Sequence, residues 1–306
     1  MEQPTDVQDV RVVHFGLGSL GAAIARVVAS REGLMSVAAI DPAPGRDGRE
    51  LSDAAGLGAA TGVVIEATPT RLRDIEADVV LFAPEGDLDA ITTDLEILLE
   101  VGLNVVAILP DLAYPPDDDD DDLAVSIDTL AREAEVTALA LDPSDALLGT
   151  LPLSLTGVCS RVDRIVVRRR GATGPLGRLS LGDWAQALAT ALGWALDDLE
   201  ESEEQGGRHR IVGSVDGRET LVVETLADAA GGSTLEVEIE GEPSVRMTLS
   251  GGASAEEALA TLAVNAIPSV LTSDPGLYTL QDLPPVHCWT SLGLMPADED
   301  EELDDV

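Results

Sequence analysis

The chain has 306 residues and carries 57 acidic against 18 basic side chains, for a formal charge of −39. At roughly 150 residues per domain, this length predicts two domains, each able to bury a core. The charge argues against nucleic acids and anionic membranes as partners, because little positive surface is available to neutralise phosphates. All 18 basic residues are arginine, so chemistry that requires a lysine is excluded from this chain.

The composition also predicts the environment of the protein. Diffuse acidity without lysine favours adaptation to a salt-rich cytoplasm, where dense salt screens the repulsion between carboxylates. A hydrophobic content of 45% argues against a disordered acidic chain. Cys159 and Cys288 make neither a disulfide framework nor a CxxC metal site. The N-terminus does not look like a signal peptide, and no apolar run approaches ~18 residues. We expect a cytoplasmic protein with no metal site and no membrane span.

Apolar strands and amphipathic helices alternate along the first half of the chain. The pattern predicts helices at 22–30, 88–101 and 125–135, and strands at 11–15, 36–41, 62–67, 78–84, 104–109 and 136–142. Strands that are apolar throughout indicate a parallel sheet covered on both faces. We therefore expect an α/β fold whose N-terminal domain, residues 1–147, is a doubly wound Rossmann sheet.

The pattern of predicted helices and strands changes after about residue 148. The pattern predicts helices at 184–194 and 255–270, and strands at 161–170, 209–215, 219–226, 235–240 and 245–249. Apolar and acidic residues alternate strictly in the stretch LEVEIE, as in an antiparallel sheet with one solvent-exposed face. These elements predict an α+β domain over 148–271. Segment 272–297 can pack back on the first domain, the tail 298–306 is expected to be disordered, and the aspartate run 117–122 to be a solvated loop.

A glycine motif lies between the first strand and the first helix. Gly16, Gly18 and Gly21 form GxGxxG, in which the first glycine permits a tight turn. The second lets a pyrophosphate approach the backbone, and the third lets the helix pack on the strand. Asp41 ends the second strand 20 residues after Gly21, and this context predicts a dinucleotide site. A glycine turn with a purely structural role is the alternative.

The end of the second strand bears on the choice of cofactor. The Asp41 carboxylate can accept hydrogen bonds from an adenosine ribose 2′-OH, which favours NAD. Arg46 could instead receive a 2′-phosphate, so NADP stays open, as does an ordinary strand-end role for Asp41. The expected cofactor-binding residues are Gly16, Leu17, Gly18, Ser19, Leu20, Gly21, Asp41, Arg46, Ala83 and Pro84.

Several separated blocks carry a family resemblance. VVHFGLGSLGAAIARVV, GRDGRELSDAAGLG and NVVAILPDLAYP resemble the diaminopentanoate dehydrogenase and native amine dehydrogenase family, within the wider dihydrodipicolinate-reductase-like group. In the second half, ALDPSDALLGTLPLSLTGVCSRVDRIVVRR and VNAIPSVLTSDPGLYTLQDLPPV resemble its substrate domain. The resemblance implies a substrate and dimerisation domain, a homodimer, and hydride transfer between NAD(P) and a small amine, imine or carbonyl compound. Dihydrodipicolinate reduction itself is disfavoured, because the HHxxK-type motif is absent.

Two departures from that family affect the expected catalytic residues. Where the family carries a glutamate pair before a Leu-x-Tyr-Pro segment, this chain reads Pro110–Pro115 and keeps one carboxylate, Asp111. Asp111 is the first candidate acid or base and Tyr114 the second. The alternatives are a loop acid and a packed tyrosine. The family's Asn-Pro-Gly turn reads Asp142-Pro143-Ser144 here.

Two other functions compete with the oxidoreductase interpretation. A dinucleotide-binding protein that has lost catalysis and acts as a sensor or scaffold would fit the changes at 110–111 and 142–144. A homoserine- or aspartate-semialdehyde-type dehydrogenase shares the first half, but the missing lysine counts against it. Among the remaining candidates, His14 is expected to pack in its strand, and the arginines between 161 and 170 to form ion pairs.

Overall fold

The computed structural model of the chain describes residues 9–114, 122–146, 148–171, 181–204, 207–227, 233–251 and 254–289. The tail 298–306 and the aspartates 117–121 lie outside these residues. Within these ranges, no helix is long and apolar enough to cross a membrane.

The first half alternates strands with helices. Its strands are β1 Val10–Phe15, β2 Leu34–Ile40, β3 Ile65–Glu66, β4 Val79–Phe82, β5 Asn104–Ile108 and β6 Thr137–Leu141. Its helices are α1 Ser19–Ala29, α2 Leu51–Ala55, α3 Leu88–Glu100, α4 Pro110–Ala113 and α5 Asp122–Glu133, with a 3-10 helix at Pro69–Asp74.

The second half begins with α6 Leu151–Thr156 and α7 Leu181–Ala191, and its strands are β7 Arg161–Gly171, β8 Asp198–Glu204, β9 Arg208–Val215, β10 Arg218–Ala227, β11 Thr234–Glu242 and β12 Val245–Ser250. The last elements are α8 Ala255–Asn265, α9 Ile267–Thr272 and β13 Gly276–Tyr278. The helix predicted over 255–270 is therefore two helices. Pro268, which lacks an N–H to continue the ladder, lies in the first turn of α9.

The strands form a parallel sheet and a mixed sheet. The seven-stranded sheet has the order β13-β6-β5-β4-β1-β2-β3, and its neighbouring strands pair in parallel. Without β13 this is the Rossmann order 3-2-1-4-5-6, whose ligand crevice opens at the carboxyl ends of the strands where the order reverses, here between β1 and β4. The predicted α/β class with a Rossmann sheet is confirmed.

Both faces of the parallel sheet are covered by helices. On one face, α3 and α5 contribute Leu95, Leu98, Leu99 and Ile127 to a buried cluster with Phe15 and Phe82. On the other, Ile24 of α1 packs with Leu259, Val264 and Val270 of α8 and α9. These two helices, which the sequence placed in the second domain, thus pack on the first sheet. We propose that 254–289 belong structurally with 9–146.

The mixed sheet has the order β12-β11-β7-β10-β9-β8. One face packs on α7, whose Trp184 is fully buried among Ile165, Leu221 and Val237. The other face carries ion pairs that link Arg164, Arg168, Arg210 and Arg246 to glutamates of the neighbouring strands. Arg164 and Arg168 thus form ion pairs as predicted for the arginine-rich strand β7, whereas Arg169 of the same strand is buried, with 4% exposed. In β11 the buried and half-exposed residues alternate, as LEVEIE predicts.

Three strands differ from the predicted pattern, and one of them is the short β13, which the sequence analysis did not predict. The strand expected at 62–67 shrinks to Ile65–Glu66, because Gly62 takes a positive φ of 78° and Val64 makes an isolated bridge with Glu50. The acidic strand β8 was missed. Its sequence DLEESEE has low β-propensity, and it is held at the sheet edge by antiparallel pairing with β9.

Candidate functional site

The glycine turn between β1 and α1 leaves no room for side chains. Gly16 has a φ of +80°, and a Cβ there would overlap with the Ala83 carbonyl oxygen at the end of β4. A Cβ at Gly21 would overlap with the Gly16 carbonyl oxygen, so α1 packs directly on the turn. Glycine is required at both positions by backbone contacts.

Gly18 differs from its two neighbours in the motif. It is the N-cap residue of α1, which has no acidic residue in its first turn and no capping side chain. A Cβ at Gly18 would overlap only with the Glu85 carboxylate, the far end of a flexible side chain. The Ser19 hydroxyl donates to Glu256 of α8 at 2.8 Å. Two carboxylates therefore flank a helix N-terminus whose dipole and unpaired N–H groups favour an anion.

Asp41 connects the glycine turn to the end of β2. Its carboxylate is buried and accepts hydrogen bonds from the backbone N–H groups of Leu17, at 3.0 Å, and Ala43, at 2.9 Å. Arg46 approaches the same carboxylate, with 3.5 Å between Nε and Oδ2. Asp41 thus orders the turn and holds Arg46 nearby.

A cavity of about 290 Å³ opens at these strand ends. Of the ten cofactor-binding residues expected from the sequence, six line it: Gly16, Leu17, Gly18, Asp41, Arg46 and Pro84. Ala83 lies under Gly16, while Ser19, Leu20 and Gly21 form the first turn of α1. Asp94 of α3 lines the far side, and burial raises the pKa of its carboxyl. The size and the carboxyl-edge position suit one nucleoside half of a dinucleotide.

The two residues expected to be catalytic lie in the segment that follows β5. Asp111 is in the first turn of α4 and is exposed. Tyr114 ends the same helix and is half-buried, and its hydroxyl donates a hydrogen bond to the carboxylate of Asp145. The two side chains therefore lie in different environments within one short helix.

Asp145 is a residue that sequence reasoning missed. It follows β6 and is only 6% exposed, and its second carboxylate oxygen accepts from the Asp142 backbone N–H at 2.9 Å. Asp142 in turn accepts from the backbone N–H of Ser144, at 2.7 Å, and from its hydroxyl. A second acid three residues after a strand-end aspartate, in the otherwise apolar ALALDPSDALL, was the available signal.

Burial changes the proton affinities of this pair. Burial raises the pKa of Asp145 to about 6, against the lowering effect of the hydrogen bonds from Tyr114 and from the Asp142 amide. Burial, together with the nearby Asp145 charge, also raises the pKa of the Tyr114 phenol above its usual value. Tyr114 is therefore a protonated hydrogen-bond donor at neutral pH, while Asp145 changes charge within an accessible pH range.

His14, the second-last residue of β1, does not line the cavity at the strand ends. It is buried in β1, as predicted, and its Nε2 lies 2.9 Å from the Ser36 hydroxyl. Burial lowers the pKa of its imidazole to about 4, so the ring is neutral at pH 7. Within the described ranges, no three His, Cys, Asp or Glu side chains are placed to hold a metal ion.

Comparison with known proteins links this geometry to a group of dehydrogenases. Residues 206–293 match the family model of the 2,4-diaminopentanoate dehydrogenase C-terminal domain. A 2,4-diaminopentanoate dehydrogenase from Acetoanaerobium sticklandii is 23% identical over an alignment of 342 positions, which covers 91% of this chain and 94% of the relative.

The solved structures that superpose on this chain are also those of oxidoreductases. An amine dehydrogenase from Mycobacterium smegmatis superposes with a TM-score of 0.74 at 21% identity, covering 93% of this chain and 98% of that one. A dipicolinate-bound dihydrodipicolinate reductase from Paenisporosarcina sp. TG-14 has a TM-score of 0.61 at 16% identity, with 90% and 99% covered. A myo-inositol dehydrogenase from Lactobacillus casei, in complex with NAD(H) and myo-inositol, has a TM-score of 0.63 at 14% identity, with 90% of each covered. The chain has the fold of these oxidoreductases.

Proposed function

We propose that the chain is an NAD(P)-dependent oxidoreductase that transfers a hydride to or from a small amine, imine or carbonyl compound. The observation that carries the proposal is the turn at Gly16–Gly21, which joins β1 to α1 at the switch point of the sheet and is tied to β2 by Asp41. The matches to an NAD(H)-bound dehydrogenase and to 2,4-diaminopentanoate dehydrogenase support it. The nicotinamide would supply the hydride acceptor or donor.

The residues fit a dinucleotide, and they favour NAD over NADP. The α1 N-terminus would face the pyrophosphate once the flexible Glu85 side chain moves aside. Asp41 offers a fixed carboxylate to a ribose 2′-OH and would repel a 2′-phosphate. Arg46 could bind that phosphate only after leaving Asp41, which it approaches at 3.5 Å.

An amine or imine is the substrate class that we favour. Asp111, Tyr114 and Asp145 follow β5 and β6, next to the carboxyl edge where the nicotinamide would lie. We propose Asp111 as the exposed carboxylate that pairs with the ammonium group or accepts its proton, with Tyr114 as a second polar contact. The amine dehydrogenase and diaminopentanoate dehydrogenase likenesses support this class.

Cofactor titration tests the proposal. Gly18→Val should abolish NADH binding, because a side chain there meets the incoming phosphates, while the protein folds because Glu85 can move. Equivalent changes at Gly16 or Gly21 would overlap with backbone atoms and are unsuitable. Gly58→Val, where a Cβ meets open space, is the matched control. Unchanged NADH affinity in folded Gly18→Val protein would remove the glycine turn from the cofactor site.

A catalytically silent dinucleotide sensor is the second candidate. The exposure of Asp111 and the replacement of the family's Asn-Pro-Gly turn by Asp142-Pro143-Ser144 favour it. Screening amines with NAD(P), and ketones plus ammonia with NAD(P)H, in molar salt separates the two. Tight cofactor binding without turnover across the whole panel would favour the sensor.

We further propose that the protein is a homodimer that works in a salt-rich cytoplasm. The formal charge of −39 and the fact that all basic residues are arginine support a salt-rich environment. Light scattering coupled to gel filtration in molar potassium chloride tests the dimer, and a monomeric mass would contradict it.

A further inference from the structure

Tyr114 lies at the junction between the two sheets. Its ring packs against the buried cluster under the parallel sheet and also against the cluster between α7 and the mixed sheet. Its hydroxyl donates to Asp145, which lies on the neighbouring segment after β6. Packing from both halves of the chain therefore places the side chain, and the Asp145 carboxylate accepts the hydrogen of its hydroxyl.

The direction of this hydrogen bond decides what Tyr114 can offer to another molecule. A phenol has one hydrogen and two oxygen lone pairs, and the hydrogen is committed to Asp145. The Ser144 hydroxyl also contacts the Tyr114 oxygen, although it donates its hydrogen to the Asp142 carboxylate as well. It can therefore occupy at most one lone pair of the Tyr114 oxygen. At least one lone pair of the Tyr114 oxygen remains, so in this state Tyr114 is an acceptor.

An acceptor distinguishes amines from carbonyl compounds. Amine, ammonium and iminium groups donate through N–H, whereas a carbonyl oxygen only accepts. As a hydride leaves the carbon of an amine, positive charge develops on its nitrogen. A hydrogen bond from that nitrogen to Tyr114 therefore strengthens in the transition state, all the more with a carboxylate behind the phenol.

We propose that Asp145 is a positioning residue that fixes Tyr114 as a hydrogen-bond acceptor. It thereby selects substrates whose reacting carbon is bonded to a nitrogen that carries a hydrogen. The inference rests on the proposed function and assigns its substrate preference to a residue outside the expected catalytic pair. The backbone N–H of Asp142 orients Asp145 by holding its second oxygen at 2.9 Å.

The selection should depend on pH. Two titratable groups face Asp145 among the described residues, the Tyr114 phenol and the Asp142 carboxylate. Above pH 6, Asp145 is ionised and accepts from Tyr114, since burial places the pKa of Asp145 at about 6. Below pH 6, the protonated carboxyl can donate to the phenol oxygen. The phenol hydrogen is then released, and Tyr114 becomes a donor suited to a carbonyl oxygen.

The coupling can be measured without turnover. The chain has two tyrosines, Tyr114 and Tyr278, so tyrosine labelled with ¹³C at Cζ gives two NMR signals that Tyr114→Phe assigns. The Tyr114 signal should move with a midpoint near pH 6 in the wild type and stay constant in Asp145→Asn, with Tyr278 as internal reference. A Tyr114 signal that is the same in the wild type and in Asp145→Asn at pH 8 would overturn the proposal.

Kinetics then test the selection. In Asp145→Asn, kcat/KM for the best amine should fall by about 10- to 100-fold, the size of one lost hydrogen bond to a charged group, and lose its dependence on pH near 6, with cofactor affinity unchanged. Tyr114→Phe should show a similar fall, and the double variant no further fall, because the two groups act as one unit. Asp216→Asn, in the β9–β10 turn, is the matched control because asparagine tolerates its φ of 51°.

The outcomes separate the inference from the proposed function. An Asp145→Asn variant with wild-type pH profile and amine preference would overturn the inference. Absence of any turnover by the wild-type chain would contradict the proposed function, whereas the NMR titration would still decide whether Asp145 controls Tyr114.

Discussion

At the scale of single residues, Asp41 offers the most direct test of cofactor choice. Asp41→Ala should weaken NADH binding relative to NADPH, because it removes the acceptor for a ribose 2′-OH and frees Arg46 for a 2′-phosphate. Fluorescence titration with both nucleotides gives the ratio of affinities. Asp53→Ala, on an exposed position of α2, is the control. An unchanged ratio would separate Asp41 from the ribose.

Asp111 tests the assignment of the acid or base. Asp111→Asn keeps the shape of the side chain and removes its charge, so turnover should fall by roughly 10²–10⁴-fold while cofactor affinity stays constant. Asp111→Glu should retain activity. Steady-state kinetics on the best amine provide the measurement, and full activity in Asp111→Asn would leave Tyr114, positioned by Asp145, as the group that contacts the substrate.

His14 should make stability depend on pH. Burial lowers the pKa of its imidazole from 6.5 to about 4, so the unfolded chain takes up a proton before the folded one does. The contribution of the neutral ring is complete above pH 6.5 and is lost as the pH falls towards 4, by about 3 kcal/mol in total. Asp145 acts in the opposite sense, since its raised pKa costs stability as the pH rises towards 6.

The difference between wild type and His14→Gln isolates this effect. Glutamine cannot ionise and keeps a polar atom for Ser36, which contacts the ring at 2.9 Å. Urea unfolding at pH 7 and pH 4.5 should therefore show a smaller loss of stability in His14→Gln. An equal loss in both proteins would contradict the assignment.

At the scale of elements, one carboxylate organises the segment between β2 and β3. Glu50 is the N-cap residue of α2 and accepts hydrogen bonds from Ser52, Thr61 and Gly62. The bonds from Ser52 and Thr61 hold the pKa of its carboxyl at about 2. Because this pKa is depressed, the stabilisation is complete above pH 4.5 and is lost as the pH falls towards 2.

Removing this carboxylate should loosen the segment locally. In Glu50→Ala, the amides of Thr61 and Gly62 should exchange hydrogen faster and the melting temperature should fall. Hydrogen exchange followed by mass spectrometry at neutral pH provides the measurement, with Glu96→Ala on α3 as control. Unchanged protection at 61–62 would show that the backbone of this segment is held by other contacts.

The same scale shows how far sequence carries the fold. The period-2 and period-3.6 patterns locate the long elements well, because burial on one face dictates the spacing of apolar residues. They miss β8, whose DLEESEE sequence is a strand only because β9 pairs with it. At the site, the glycine turn and Asp41 are readable from local spacing. The Tyr114–Asp145 pair joins residues 31 positions apart through the alignment of β5 with β6, which the sequence does not state.

At the scale of the whole molecule, the charge dominates the response to salt. With −39 formal charges, carboxylates repel over ~30 Å at 0.01 M salt, and molar salt reduces that distance to ~3 Å. The exposed ion pairs of the mixed sheet weaken in salt, but each contributes only about 0–1 kcal/mol. We therefore expect the melting temperature to rise with potassium chloride into the molar range. A melting temperature that is indifferent to salt would contradict this interpretation.

The last strand has a consequence for how the protein is made. β13 adds to the edge of the parallel sheet beside β6, and α8 packs against α1, so the chain returns to its starting sheet after building the other one. During synthesis, the first 146 residues therefore leave the ribosome while the face of the sheet that carries Ile24 is still uncovered. More than a hundred further residues, including the six strands of the mixed sheet, are synthesised before Leu259, Val264 and Val270 can cover that apolar surface. Protein synthesis thus leaves the half with the parallel sheet exposed to aggregation until almost the whole chain has emerged, and a gene cut after β6 should yield insoluble product.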